Sequence, residues 1–172
     1  MNKQQLASKI WASANKMRSK IEASEYKDYI LGFIFYKFLS EKEEKYLTDE
    51  GWTSEDISQL NEDNQETLDY VQKNVGYFIS YENLFSTWIK NKNNFDVSNV
   101  TDALSAFDRL IGPSYSKVFK DIFKTLQTGL DKLGENSGAR TKAIRGLIDL
   151  IKDIVSPKPN VYPSALLRCR GV

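Results

Sequence analysis

The run Tyr29-Ile30-Leu31-Gly32-Phe33-Ile34-Phe35-Tyr36 is apolar on every side of a helical wheel and ends at Lys37. It predicts the middle of one helix that starts near Glu25 and continues into the 41–46 region. A helix apolar all round is surrounded by other helices rather than laid on a surface. The expected fold is therefore all-α: a compact multi-helix bundle around this central helix, with no sizeable sheet. Gly32 costs about 1 kcal/mol relative to Ala inside a helix, so its retention here points to a neighbouring element packed close against it.

Helical spacing recurs on both sides of that run. Leu6, Ile10, Ala14, Met17 and Ile21 share one face of a first helix. After the central helix, Gly51 marks a break and Thr53 or Ser54 caps a short helix, with Glu55 and Asp56 in its positive first turn. Leu68, Val71 and Val75 end at Gly76, a natural C-cap, and Tyr77-Phe78-Ile79 is a short apolar connection that admits an extended form. Leu84, Phe85, Trp88 and Ile89 make the next helix. Ser98 is expected to open another, with Val100, Ala103, Leu104, Phe107, Leu110 and Ile111 on one stripe ended by Gly112-Pro113. Phe119, Ile122, Phe123 and Leu126 predict one further helix. Ser137 is expected to cap the last, whose apolar face is Ile144, Leu147, Ile148, Ile151 and Ile154. This gives a helical domain over residues 1–155. Residues 156–172, with three of the four prolines and the lone Cys169, read as an irregular tail or truncated junction.

The 172 residues carry 24 Lys+Arg against 23 Asp+Glu and no histidine. Without imidazole there are no Ser-His or Cys-His nucleophile pairs and no HExxH zinc site, and a single cysteine excludes disulfide scaffolds and thiolate zinc sites. No leader is visible and the longest apolar run is far short of the roughly 20 residues of a membrane span, so a cytoplasmic, membrane-free protein is expected. The near-neutral balance hides segregation. Residues 1–40 hold seven basic and three acidic side chains, residues 41–69 two basic and eleven acidic, and residues 109–152 nine basic and four acidic.

A glycine-rich strand-to-helix turn of the kind that cradles a cofactor is absent, because Gly129, Gly134 and Gly138 have the wrong spacing and follow a helix. No two prolines are adjacent, so there is no Pro-Pro-aromatic clamp for a flipped base. Glu41, Glu43 and Glu44 are expected to form a solvated helix face rather than a cation site. The aromatics Tyr77, Phe78, Tyr81, Phe85 and Trp88 fit core packing better than base stacking. Two basic stripes are candidates for lying along phosphates: Lys9, Lys16 and Lys20 on the first helix, and Lys142, Arg145 and Lys152 on the last, with Asp149 among them and Arg140 near its start. Periodicity alone favours an ordinary solvated face for both.

The stretch from Leu6 to Ser40, with Trp11, Tyr26, Lys27, Tyr29, Leu31, Lys37 and Ser40 as its marks, resembles the opening of the modification (methyltransferase) subunit of type I restriction-modification systems. Gly76-Tyr77-Phe78-Ile79, Leu84-Phe85 and the closing helix from Ile144 to Ile151 are similar to that family too. Asn15 and Met17-Arg18-Ser19 depart mildly from its commoner Asp and Leu-Arg-Gly. The resemblance implies the all-helical N-terminal domain of such a subunit. In the family, two modification subunits join one specificity subunit and a restriction subunit on double-stranded DNA, and adenine N6 is methylated with S-adenosylmethionine. The helical domains help the assembly close around the duplex.

The family's Rossmann-like domain, with its S-adenosylmethionine motifs and Asn-Pro-Pro-aromatic site, has no counterpart among these residues. The chain is therefore expected to be an assembly and DNA-clamp module, binding DNA weakly alone and holding no cofactor or metal. A competing reading is a free-standing helical adaptor or inhibitor that contacts protein through the acidic segment 41–69, and an independent enzyme comes third. Calorimetric titration of the purified chain with S-adenosylmethionine should show no saturable binding. One-to-one binding at micromolar concentration would contradict this reading.

Overall fold

The computed structural model of the chain describes residues 23–154 together with 4, 5, 7–9 and 11, which are helical. The central helix, α1, spans Ala23–Asp49. Tyr29, Ile30, Phe33, Ile34 and Tyr36 on it are buried, and Leu31 and Phe35 half-buried, so the expected all-round burial is present. Around it lie α2 (Ser54–Ser58), α3 (Gln65–Val75), α4 (Phe85–Lys90), α5 (Val97–Arg109), α6 (Ser116–Phe119), α7 (Lys124–Gly129) and α8 (Ser137–Ile151). Short 3-10 turns at Tyr81–Asn83, Pro113–Tyr115 and Leu130–Leu133 link some of them. Extended pairing among the described residues is confined to an isolated antiparallel bridge, Tyr77 to Ile111. The all-α class stands. Most of the expected first helix lies outside the described residues, as does the tail 156–172.

Local chemistry sets the boundaries. Thr53 caps α2 through a reciprocal box with Asp56, and Asn64 caps α3 by accepting from the Thr67 N–H. Gly76 ends α3 at φ +103°, where L side chains are strained. Past that turn, the Phe78 N–H donates to Leu110 O (3.1 Å) and the Gly112 N–H to Gly76 O (2.9 Å), which fastens the apolar connection 77–79 to the end of α5. Two expected caps are displaced by one or two residues. Asp96, not Ser98, opens α5, because its carboxylate accepts the Ser98 and Asn99 N–H groups more strongly than a hydroxyl would. Asn136, not Ser137, caps α8 by accepting from the Ala139 N–H.

A larger correction concerns residues 119–126, which do not form one helix. Asp121 adopts φ +59° and its N–H donates to the Asp108 carboxylate (3.0 Å), so the chain turns between α6 and α7. The turn brings both Phe119 and Phe123 edge-on to Phe107, with ring centroids 6.3 and 5.0 Å apart. A straight helix would satisfy the same spacing, which is why the pattern could not distinguish the two.

α7 runs against the first half of α1. A Cβ at Gly32 would lie 3.2 Å from Cδ2 of Leu126, and one at Gly129 only 2.0 Å from Cε1 of Tyr29. Gly32 is thus a close-packing position as expected, and Gly129 a tighter one. Gly32→Leu should lower stability by about 1–3 kcal/mol through overpacking, although leucine is the better helix former. Gly129→Ala should cost at least as much with a single added methyl, since an aromatic ring and a helix backbone must separate. Urea denaturation of the two variants checks this. Wild-type stability in either would mean that α1 and α7 are not in contact there.

Candidate nucleic-acid interface

Behind any surface this domain offers lies a polar seam on α1. Tyr36, Ser40, Glu43 and Glu44, with Lys37 beside them, are related by spacings of three, four and seven and so share one side of the helix. Opposite them runs segment 77–86, whose backbone needs partners once it is buried. Ser40 Oγ accepts the Phe85 N–H (2.8 Å) and Glu43 Oε1 the Ile79 N–H (2.9 Å). The Tyr36 hydroxyl donates to Asn83 O (2.8 Å), the Ser86 hydroxyl to Glu44 Oε1 (2.7 Å), and the Tyr77 hydroxyl back to Leu39 O (2.7 Å). Lys37, wrapped by protein and paired with Glu41, donates to Ile154 O (2.6 Å).

The solvated face expected for Glu41, Glu43 and Glu44 is therefore corrected. Glu43 is fully buried, because it lies seven residues from Tyr36 and three from Ser40 on the side that meets segment 77–86. Burial drives its carboxyl well above the ordinary carboxylate range, only partly offset by the Ile79 N–H, with Glu44 nearby adding to the rise. Burial likewise raises the Tyr36 hydroxyl, and Glu43 adds to it. The second oxygen of Glu43, Oε2, has no hydrogen-bond partner. The signal available in the sequence was the three-and-four interleaving of polar residues with an apolar run, which marks a buried polar stripe as readily as an exposed one. No cluster of three or more potential metal ligands occurs among the described residues.

The aromatics are core, as expected: Tyr77, Phe78, Phe85 and Trp88 are buried and Tyr81 is half-buried. Tyr36 stacks on Trp88 with centroids 5.0 Å apart and rings 3° from parallel.

The basic residues differ in what surrounds them. On α8, Arg145 reaches the loop that precedes α5, donating from Nε to Phe95 O (2.8 Å) and from its terminal nitrogen to Asn93 O (3.2 Å). Arg140 donates from Nε to Gly134 O (2.9 Å) and Asp131 O (3.2 Å), with its guanidinium 3.3 Å from the Asp131 carboxylate. Lys152 lies 3.5 Å from Asp149, which Lys92 also holds at 2.5 Å. Lys142 is exposed. The structure thus puts Lys142, Arg145 and Lys152 on one helix and commits Arg145 to a loop. Lys9 is half-buried, and Lys16 and Lys20 lie outside the described residues. Glu62 of the acidic segment forms a two-pronged pair with Arg109 (2.6 and 3.1 Å), which lowers the Glu62 carboxyl.

A family model described as the HsdM N-terminal domain matches residues 6–151. The methylase subunit of the type I restriction enzyme MpnII from Mycoplasma pneumoniae is 34% identical over 159 residues, covering 83% of this chain and 29% of that protein. The crystal structure of a type I restriction-modification methyltransferase subunit from Streptococcus thermophilus superposes with a TM-score of 0.70 at 21% identity, covering 90% of this chain and 34% of that one. The chain thus spans about a third of the length of these proteins or slightly less. No helix among the described residues is long and apolar enough to cross a membrane.

The seam makes a measurable demand on pH. An unfolded glutamate ionises near 4.5, whereas the folded domain keeps Glu43 protonated well beyond that. The folded state therefore binds more protons between those values, so this stabilising contribution is complete below about pH 4.5 and is lost as pH rises through the raised value. Urea unfolding from pH 5 to 8 should show Glu43→Gln, which keeps an acceptor for the Ile79 N–H, gaining on wild type as pH rises. Parallel stability curves would mean that Glu43 does not titrate with folding.

Proposed function

Because the chain belongs to the HsdM N-terminal domain family, we propose that it serves as the helical assembly and DNA-clamp domain of a type I restriction-modification DNA methyltransferase subunit. The observation that carries this reading is the family match over residues 6–151, which takes in the central helix and segment 77–86 opposite it. In this reading the partners are a second modification subunit, one specificity subunit, a restriction subunit and double-stranded DNA, in the cytoplasm. The adenine-N6 methylation itself, with S-adenosylmethionine, belongs to regions of the assembly that these residues do not match. The chain contributes rigid helices and cations that position the duplex rather than reacting groups.

Among the candidate contacts, Lys142 is presented outward, and Lys9, Lys16 and Lys20 belong to residues 1–20, which hold five basic and no acidic side chains. Arg140, Arg145 and Lys152 would act only with the charge that their carbonyl and carboxylate partners leave outward. With a formal charge of +1 the isolated chain has little long-range attraction for DNA.

Purified chain mixed with the modification and specificity subunits of its own system should enter a complex of defined stoichiometry on size exclusion. That complex should bind duplex DNA more tightly than the chain alone. A chain that elutes alone in the presence of those subunits would defeat the reading.

A further inference from the structure

Where the end of α1 meets α3, three aromatic side chains gather at the edge of the core. Trp52 stacks on Tyr70 with centroids 6.5 Å apart and rings 13° from parallel, and Tyr46 tilts against Tyr70 at 6.2 Å. All three are half-buried, whereas Tyr36, Tyr77 and Trp88 are buried. The backbone that presents Trp52 is fixed. Gly51 turns the chain at φ +90°, the Trp52 N–H donates to Leu47 O (2.9 Å), and Thr53 is held in the box that opens α2. The Tyr70 hydroxyl lies 3.2 Å from that of Tyr46 and donates to Glu50 Oε2 (3.3 Å), which keeps a carboxylate at the rim of the rings.

The chain that carries these rings is acidic throughout. From Tyr46 to Gln72 it holds eight carboxylates and no lysine or arginine. Asp49 pairs with Lys45 (2.6 Å) and Glu62 with Arg109 (2.6 Å). Glu50, Glu55, Asp56, Asp63, Glu66 and Asp69 are exposed and take part in no ion pair among the described residues. Glu66 stands one turn before Tyr70 on α3, so it and Glu50 flank the stack from two helices. The other exposed cations at this end of α1 and on α3 are Lys42 and Lys73, and α2 has none. Such a face repels phosphate and suits a planar cation. A guanidinium lies flat on an aromatic ring while its N–H groups meet a carboxylate two at a time, which an ammonium cannot do.

We propose that the face formed by Tyr46, Trp52 and Tyr70 with Glu50 and Glu66 is a protein-docking surface that takes an arginine-bearing segment of a partner subunit. The proposal rests on the assembly reading above for the source of that segment. It gives the domain a protein contact on its acidic side, separate from the basic residues considered for DNA. The rings supply the anchor and the carboxylates the pairing, the combination in which tyrosine, tryptophan and arginine recur at protein interfaces.

The full chain is titrated with a short peptide alternating arginine and alanine, with its lysine counterpart and with a short DNA duplex, while the Trp52 indole N–H is followed by NMR. The arginine peptide should move that signal saturably and bind about two- to fivefold more tightly than the lysine peptide. The duplex should leave it unmoved. Glu50→Gln combined with Glu66→Gln should weaken the arginine peptide about two- to tenfold, whereas Glu135→Gln, at an exposed carboxylate before α8, should not. Trp52→Leu, followed through the Tyr70 amide, should weaken it as well. If that variant melts early, the two surface glutamates decide. The absence of a saturable shift, equal affinity for the two peptides, or unchanged affinity in the glutamate variant overturns the proposal. A shift produced by the duplex identifies a nucleic-acid face and overturns it too. Mixed with the modification, specificity and restriction subunits of its own system, the glutamate variant should enter the complex more weakly than wild type, and entry as tight as wild type overturns the proposal. A wild-type chain that elutes alone defeats the assembly reading instead, and the peptide titration then still decides what this face binds.

Discussion

The backbone of segment 77–86 crosses the interior between helices, where its N–H and C=O groups have neither a ladder nor water to meet. α1 answers with side chains: Ser40 for Phe85, Glu43 for Ile79 and Tyr36 for Asn83. Leaving one such buried group unpaired costs about 1–3 kcal/mol, so the placement of α1 and of the segment determine each other. Lys37 extends the same logic to the far end of the chain, joining residues 117 positions apart through Ile154 O. A single stripe on one helix thus sets the register of three regions distant in sequence.

Close approach is the second constraint. Tyr29 and Gly32 lie seven and four residues before Tyr36, so the same side of α1 continues towards the start of the helix. There Gly129 lets α7 lie against the ring of Tyr29, and Gly32 leaves room on α1 for the side chain of Leu126. The aromatics around this side are a network, with Tyr36 in contact with Trp88, Phe107 and Phe123. Tyr36 belongs to both systems at once, since its ring packs in that network while its hydroxyl reaches Asn83.

Much of this was legible in the sequence, for reasons that also explain what was not. The eight apolar residues 29–36 announced a central helix because no surface helix can be apolar all round. Gly76 announced its turn because few other residues tolerate the conformation. Asp96 and Asn136 were missed as caps because neighbouring serines offered the same chemistry a residue or two later. The break at Asp121 was invisible because Phe119, Ile122, Phe123 and Leu126 have helical spacing whether or not the helix is continuous. Glu43 was misread because spacing shows which residues share a side of a helix, not what lies opposite. The same limit applied to the basic stripe on α8: periodicity aligned Lys142, Arg145 and Lys152 but could not show that Arg145 bends back to the carbonyls of Asn93 and Phe95.

The bond from Lys37 to Ile154 O also has a mechanical meaning. Helix ends ordinarily fray, and tension on a terminal helix peels it away one turn at a time from its last carbonyl. Here the carbonyl just past α8 is tied to an ammonium buried in the middle of the molecule, which in turn is paired with Glu41. A pull on the chain beyond residue 154 is therefore delivered first to the centre of α1 and only afterwards to the last turn of α8. The domain's exit point behaves as an anchored strut rather than a loose strap, and movement of whatever is joined there is passed inward to the seam that organises the fold.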